Sequence, residues 1–446
     1  MRCGQFDRGI AILREVLMAH GIRVPRSLFC AMVVTTLLFL RVLLTRLPPR
    51  PAGRAPRSAE LEHVDICWAV YLGVLNADSF LAQPLGLQAS LAAFRTREPG
   101  RCAQFMGLRA TFIPIFTGRI GPRSARLFAQ SQELARTSGH PMALAWTLSF
   151  RAMTSVLAGD FADATERVEL AIEAFRAEAG AAFESLAGGY IWKVWSLFPL
   201  GRLREAATVA TECLRDAGDR GDLHGTIFMQ SGLGCLATLL PDDRPGDVIA
   251  QVTDARRRWY RKRFDLQHAL GLVAHLHALL YQGHADEAVV VLAAARPGIR
   301  SSGLIAWSLF RVWLRDLEGR IALSVCASLR RDSRRKGLRQ AAQAAARLFR
   351  GGNRSALPAA LLLRAGCDRL AGNDDLAITH LRAAVAAFDE RAMSMHAAMA
   401  RLRLSALVGG AEAEAIAAPA HAWIARENIK NPAGFLRMLA PGFDPA

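Results

Sequence analysis

Three groups of residues in this chain have the types and spacing to do chemistry. The string Gly232-Leu233-Gly234-Cys235-Leu236-Ala237 matches G-x-G-x-x-A, whose glycines let a backbone approach a pyrophosphate at a helix N-terminus, but only where a strand leads into it. No alternating strand pattern precedes it, so the string reads as part of a hairpin helix whose small residues permit close packing. His268, His275, His277 and His284 form the densest histidine group. His268 and His275, seven apart, can share a helical face, yet no carboxylate or thiol joins them at metal-ligand spacing. They read as partly exposed helix histidines, and no metal or other cofactor is expected. A nucleotide-binding P-loop needs Gly-Lys followed by Ser or Thr, and no Gly-Lys pair occurs.

The third group is basic. Arg256, Arg257, Arg258, Arg261, Lys262 and Arg263 surround Trp259 and Tyr260, and Arg330, Arg331, Arg334, Arg335, Lys336 and Arg339 form a second cluster. Arginines interleaved with aromatics can hold phosphate and stack bases, or meet an acidic protein; a solvated helix face accounts for them as well. Arg256, Arg257, Arg261, Arg263, Arg331, Arg334 and Arg335 are the candidate anion or partner contacts. The net charge of +17 at first points to nucleic acid. Only Lys193, Lys262, Lys336 and Lys430 are lysines, however, and an Arg-dominated chain rich in Ala and Gly is what GC-biased codon usage produces. Nucleic acid is therefore the second expectation and a protein or peptide partner the first.

These groups must be positioned by helices. A length of 446 residues exceeds a single core, which means several domains or one elongated array. Apolar residues make up 52 %, but Ala, Leu and Arg outweigh the β-branched and aromatic residues that favour strands. The tryptophans Trp68, Trp146, Trp192, Trp195, Trp307 and Trp313 lie mostly in Leu- and Ala-rich stretches and read as core. Eight scattered cysteines without a C-x-x-C pair read as buried thiols in a reducing cytoplasm. From Leu28 to Leu40 the chain is apolar apart from two threonines, then Arg41 follows. That run is too short to cross a bilayer, which takes about 20 residues, and no cleavage site for a leader follows it. A membrane is not expected as a partner, and the run reads as a buried helix ended by Pro48-Pro49-Arg50-Pro51.

An internal repeat organises the rest. Gly159 is followed five residues later by Ala164, Gly201 by Ala206, Gly283 by Ala288 and Gly372 by Ala377. Small or apolar residues then recur at steps of four and three: Val168, Ala171 and Phe175; Ala210, Cys213 and Ala217; Leu292 and Ala295; Leu381, Ala384 and Phe388. Those steps mark one face of an α-helix, and Asp163, Glu166, Arg167 and Glu173 fall on the opposite, exposed face of the first copy. Gly159 to Gly201 is 42 residues and Gly201 to Gly283 is 82, two steps of about 41, with Pro241 to Pro245 at the vacant place. One step back lies Gly118, ahead of Ala125, and a degenerate unit is expected at 300–350. A helical hairpin of this size cannot bury both faces alone, so its neighbours supply the second surface. The expected fold is all-α, a superhelical stack of antiparallel helix hairpins: 1–57 as N-terminal helices with the apolar segment and a Pro-rich linker, 58–410 as the array, and 411–446 as a capping helix and tail.

The units resemble tetratricopeptide repeats, although they exceed the usual 34 residues and mostly lack the consensus aromatics. A more specific likeness lies in Gly9 to Leu17, Gly221-Asp222-Leu223-His224, Trp259 to His268, Leu280-Tyr281-Gln282-Gly283, and the ending from Ile429-Lys430-Asn431-Pro432 to Leu439-Ala440-Pro441-Gly442-Phe443. These stretches resemble the C-terminal helical region of large bacterial signalling proteins that carry a serine/threonine kinase domain and an ATPase module upstream. The resemblance implies a non-enzymatic scaffold or sensor arm without its catalytic modules. A kinase catalytic loop needs His-Arg-Asp with an Asn five residues on; Arg330-Arg331-Asp332 lacks both the His and the Asn, so no catalytic residue is assigned. The alternative is an α-solenoid that binds nucleic acid or another anion through its arginine clusters.

Overall fold

A computed structural model describes positions 9, 12, 13, 15, 17 and 18 and residues 28–47, 55–75, 79–179, 189–259, 261 and 263–443. Ile10, Ala11, Arg14 and Val16 of the Gly9 to Leu17 stretch, the Pro48 to Pro51 break, Cys3, Tyr260 and Lys262 lie outside the described residues. Within them the protein is all-helical and contains no strand. In chain order the helices are α1 (Leu28–Leu44), α2 (Ser58–Leu75), α3 (Ser79–Thr96), α4 (Pro99–Thr117), α5 (Pro122–Thr137), α6 (Ala143–Ala158), α7 (Phe161–Ala179), α8 (Gly189–Leu200), α9 (Leu203–Asp219), α10 (Leu223–Gln230) and α11 (Leu233–Leu239). They continue as α12 (Pro245–Arg258), α13 (Leu266–Gln282), α14 (Ala285–Ser302), α15 (Ser308–Ala327), α16 (Arg335–Phe349), α17 (Ala356–Ala371), α18 (Asp374–Asp389), α19 (Ser394–Val408), α20 (Gly410–Glu427) and α21 (Pro432–Leu439). Helices adjacent in sequence pack against one another as pairs, among them α2 with α3, α6 with α7, α15 with α16 and α17 with α18.

Four of the turns are built alike. Gly159 ends α6 in the left-handed region at φ 76°; its N–H donates to Val156 O at 3.0 Å, and the N–H of Asp160 reaches back to Ser155 O at 2.9 Å. This two-bond closure satisfies carbonyls that the helix end leaves without donors, at a φ that glycine alone adopts without strain. Gly201, Gly283 and Gly372 stand at the same place in their turns, with the same pair of bonds around each. Ala164, Ala206, Ala288 and Ala377 follow one turn into the next helix and are fully buried. At Gly201 a side chain would also collide with the Met395 backbone nitrogen, which lies 2.5 Å from the Cβ position.

The inward stripe runs on through Val168, Ala171 and Phe175, through Ala210, Cys213 and Ala217, and through Leu381, Ala384 and Phe388, all buried; Ala295 is half-buried. Asp163, expected on an exposed face, is a half-buried hub bonded to Ser155 and to Arg151 across the hairpin and to Arg167 along the helix. At Gly118 the chain turns left-handed at φ 71°, but α5 starts at Pro122, four residues on, where the four repeats start two residues on. The longer turn rotates the phase, so Ala125 is exposed and Ser124, Phe128, Ser131 and Ala135 face inward. Helices α15 and α16 occupy the stretch where a degenerate unit was expected. The G-x-G-x-x-A string begins in a break between two short helices, at Gly232, and its other five residues lie in α11, contrary to the expected single helix. Gly232 is extended there, and a Cβ at Gly234 would sit 2.8 Å from Met229 O.

Sequence-distant contacts add a second layer. Trp423 on α20, Glu427 at its end and the following segment lie over the turns at Gly201, Pro241 and Gly283: Trp423 Nε1–H donates to Gly201 O at 2.9 Å, the Arg204 N–H to Glu427 Oε2 at 3.0 Å, the Lys430 N–H to Pro241 O at 2.9 Å, and Arg437 Nε–H to Tyr281 O at 3.0 Å. Phe435, Met438, Leu439 and Ala440 are buried in the main core. The ending therefore does more than cap the last hairpin. Helix α1 is one-sided where a buried helix was expected. It packs on α3, and Arg109 clamps its C-terminal carbonyls at Leu43 and Thr45, while Leu37 stays 58 % exposed and Leu44 81 %. Among the described residues no helix is long and apolar enough to cross a membrane.

Candidate functional site

The structure disperses the residues that looked chemical in one dimension. His268 closes a capping box with Asp265 at the start of α13, His284 is exposed beside Glu287 at 3.5 Å, and His275 is half-buried. His277 departs from the expected partial exposure: it is buried, because the inner face of α13 is covered by α15 and α21. Among the described residues no group of three or more His, Cys, Asp or Glu side chains is arranged to hold a metal ion. Gly159, Gly201, Gly283 and Gly372 with their alanines form turns and packing faces. The six tryptophans all belong to hydrophobic clusters or pack on them. Trp68, for example, sits edge-on to Phe105, Trp146 and Phe150.

The two arginine clusters behave differently from each other. Arg256 and Arg257 are exposed on the last turn of α12, next to Arg258, which pairs with Asp254 at 3.0 Å. Arg261 is tucked against Asp265 and Arg263 is half-buried. Trp259 is 2 % exposed and donates through Nε1–H to Asp265 Oδ2 at 2.8 Å, so its face is not open for stacking, contrary to the interleaved reading. In the second cluster Arg331 donates to Ala371 O at 2.9 Å and Arg334 to Leu329 O at 2.8 Å. Those guanidiniums cap carbonyls at helix ends, where the dipole favours a cation; Arg335 is exposed. Helix α12 packs among α10, α11 and α13, and α16 between α15 and α17, so the clusters belong to separate parts of the fold.

What the hairpins do gather is a different set of arginines. Arg311 and Arg315 lie one turn apart on α15, and Arg347 and Arg350 end α16, the helix paired with it. Arg311 donates through Nη2 to Phe116 O at 2.8 Å and through Nη1 to Ala306 O at 2.8 Å, while Arg315 Nη1 lies 3.4 Å from Arg347 O. The loop after α16 rests on the end of α4, so close that a Cβ on Gly352 would meet Thr117 O at 2.5 Å and Arg119 Nε at 2.7 Å. Among the described residues none of Arg119, Arg311, Arg315, Arg347 and Arg350 forms an ion pair with a carboxylate. Burial lowers the affinity of Arg315 for its proton, as do Arg311, Arg347 and Arg350; Glu318, which pairs with Arg296, opposes them. Burial also lowers that of Arg311.

Apolar side chains lie among these charges. Ile113 and Phe116 are each 44 % exposed, Ile305 38 % and Phe349 40 %. The surface thus combines unpaired guanidiniums with aromatic and aliphatic groups that water wets poorly. Bidentate hydrogen bonding of carboxylate or phosphate is what arginine forks do best. Sequence reasoning passed over this patch because Arg119, Arg311 and Arg347 stand in three separate segments, none of them densely basic. The available signal was the i, i+4 spacing of Arg311 and Arg315, which has meaning only once α16 lies beside α15. No family model matches the chain, and none of the curated proteins compared with it matches either.

Proposed function

We propose that the chain is a non-enzymatic binding module, a tetratricopeptide-like superhelical stack of hairpins that holds an acidic segment of another protein on the arginine and aromatic patch at α4, α15 and α16. The observation that carries this reading is the convergence of Arg119, Arg311, Arg315, Arg347 and Arg350 around exposed Phe116 and Phe349 with no carboxylate partner among the described residues. Aromatic residues and arginine are the groups that concentrate binding energy at protein interfaces. The aliphatic Ile113 and Ile305 favour a protein over nucleic acid, since they offer a peptide apolar contact and offer a base no stacking surface. The resemblance to the helical region of kinase-type bacterial signalling proteins supports a scaffold or sensor role. Free, mostly buried cysteines are in keeping with a reducing cytoplasm.

The test is a direct comparison of two labelled polyanions by fluorescence anisotropy: a Glu-rich peptide containing Leu and Phe, and a single-stranded oligonucleotide of equal charge. The reading expects the peptide to bind tighter, with a shallow salt dependence. Tighter binding of the oligonucleotide, falling steeply with salt as counterions are released, would establish the anion-binding solenoid in its place.

A further inference from the structure

Away from the surface patch, a cavity of about 60 Å³ lies where α8, α13, α15 and α19 converge. Its walls are largely apolar and aromatic, with Phe161, Phe198, Trp313 and Phe388 among them. One part of the lining is polar. Arg320 is 4 % exposed: Nη1–H donates to Met438 O at 2.9 Å, Nη2 pairs with Asp316 Oδ2 at 2.6 Å and lies 3.4 Å from His277 Nε2, and Nε is buried without a partner. His277 Nδ1 bonds to Val273 O at 2.7 Å, which makes Nδ1 the protonated nitrogen and leaves the Nε2 lone pair toward Arg320. His396 stacks on Phe388 at 5.2 Å and bonds to the Pro199 carbonyl; its Nδ1 is buried without a partner, so the ring nitrogen serving Pro199 is Nε2. Both histidines are neutral, because burial and then the Arg320 charge press their pKa down to about 3.

The polar pole therefore offers one free donor, the Arg320 Nε–H, and one free acceptor, the lone pair of His396 Nδ1. Its net charge is cancelled, since Asp316 already neutralises Arg320. Unpaired buried polar atoms cost free energy until something bonds to them, and a space of this size admits a few waters, each needing about 10–15 Å³ of it, or a molecule of a few heavy atoms. The geometry points to a binding site for a small neutral molecule whose polar end sets a hydrogen-bond acceptor beside a donor, as a primary amide does. The carbonyl oxygen accepts from Arg320 Nε–H, the amide N–H donates to His396 Nδ1, and the apolar stem lies against Phe198 and Trp313. A carboxylate of the same shape meets the His396 lone pair without a proton between them. An amidinium meets the Arg320 cation. Both also carry an uncompensated charge into a low-dielectric space.

Acetamide, acetate and acetamidinium are near-isosteres that differ in charge, and Trp313 in the wall is a fluorophore. Titration of the full chain with each, the W313F variant serving to isolate the Trp313 signal, should give a saturable change with acetamide and only a linear one with the two ions. Filling the cavity with A359L should abolish the saturable change, Ala359 lying in the wall on α17, which carries none of Arg320, His277 and His396. Non-saturable behaviour of acetamide, or identical responses to all three, would overturn the site and leave a cavity that holds water only. Saturation that survives in A359L would overturn it too, by placing the binding elsewhere. Should A359L fail to fold, the three-ligand comparison on the unmodified chain decides alone.

Discussion

The indole of Trp423 donates through Nε1–H to the carbonyl oxygen of Gly201 at 2.9 Å, joining α20 to a turn more than 200 residues earlier in the chain. Both residues are buried, Trp423 at 2 % exposure. Replacing Trp423 by Phe removes the donor, strands a buried carbonyl and leaves a small void. The expected loss is about 2–3 kcal/mol, read as a lowered urea midpoint. A change below about 0.5 kcal/mol would mean that α20 is not seated on that turn.

The alanines after the turning glycines are predicted to be intolerant of bulk. Ala206→Arg or Ala164→Arg places a charged side chain where exposure is 0 % and should cost about 1–3 kcal/mol or more. Ala125→Arg is the control: it is likewise the fourth residue of its helix but lies seven residues after Gly118 and faces solvent, so its effect should stay within about 0.5 kcal/mol. Equal effects at Ala125 and Ala206 would contradict the difference in helix phase between the two turns.

Charge reversal on the patch should separate binding from stability. Arg347 and Arg350 are exposed and pair with no carboxylate among the described residues, so R347E and R350E are each expected to leave the unfolding midpoint within about 0.5 kcal/mol of the parent. Affinity for the acidic peptide should fall on the order of tenfold for each, about 1.4 kcal/mol. Anisotropy titration provides the measurement, and unaltered affinity in the double variant would remove the patch from the binding surface.

Acid should destabilise the fold through its interior histidines. The folded pKa of His277 and of His396 is pressed to about 3 by burial and the Arg320 charge, below the ordinary 6.5, so the unfolded chain binds more protons between those values. The stability that neutrality confers is fully present above pH 6.5 and declines as pH falls toward 3. Each histidine contributes a slope of up to about 1.4 kcal/mol per pH unit. His396→Phe retains an aromatic ring against Phe388 and cannot take up the proton. Its stability curve, from urea melts across that window, is expected to be flatter than the parent's, and parallel curves would refute the assignment of a neutral imidazole at His396.

Much of the local structure could be read in one dimension because the forces that set it are local. Gly159 must be glycine where α6 ends left-handed, Ala164 must be small where the returning helix crosses, and the steps of four and three through Val168, Ala171 and Phe175 follow from the pitch of a helix. Helix periodicity and the scarcity of β-formers were enough to make the chain all-α. The same logic went astray where local rules left alternatives: at Gly118, where Gly121 and Pro122 lengthen the turn and change the inward face, and at Gly232, where the helix breaks.

Both sites belong to the tertiary structure. Arg311 and Arg347 meet because α15 and α16 pair, and the patch is completed by the end of α4, almost 200 residues before Arg311. Arg320, His277 and His396 stand on three helices, and the carbonyl of Met438 that Arg320 caps arrives only when the C-terminal segment folds back. Dense basic runs such as Arg256 to Arg258 drew attention in the sequence, but density along the chain does not report which guanidiniums are consumed by carbonyls and carboxylates in space. Short-range stereochemistry determined the hairpins and their phase. Which charges remained unpaired, and which polar atoms were buried without partners, depended on long-range packing that no local spacing encodes.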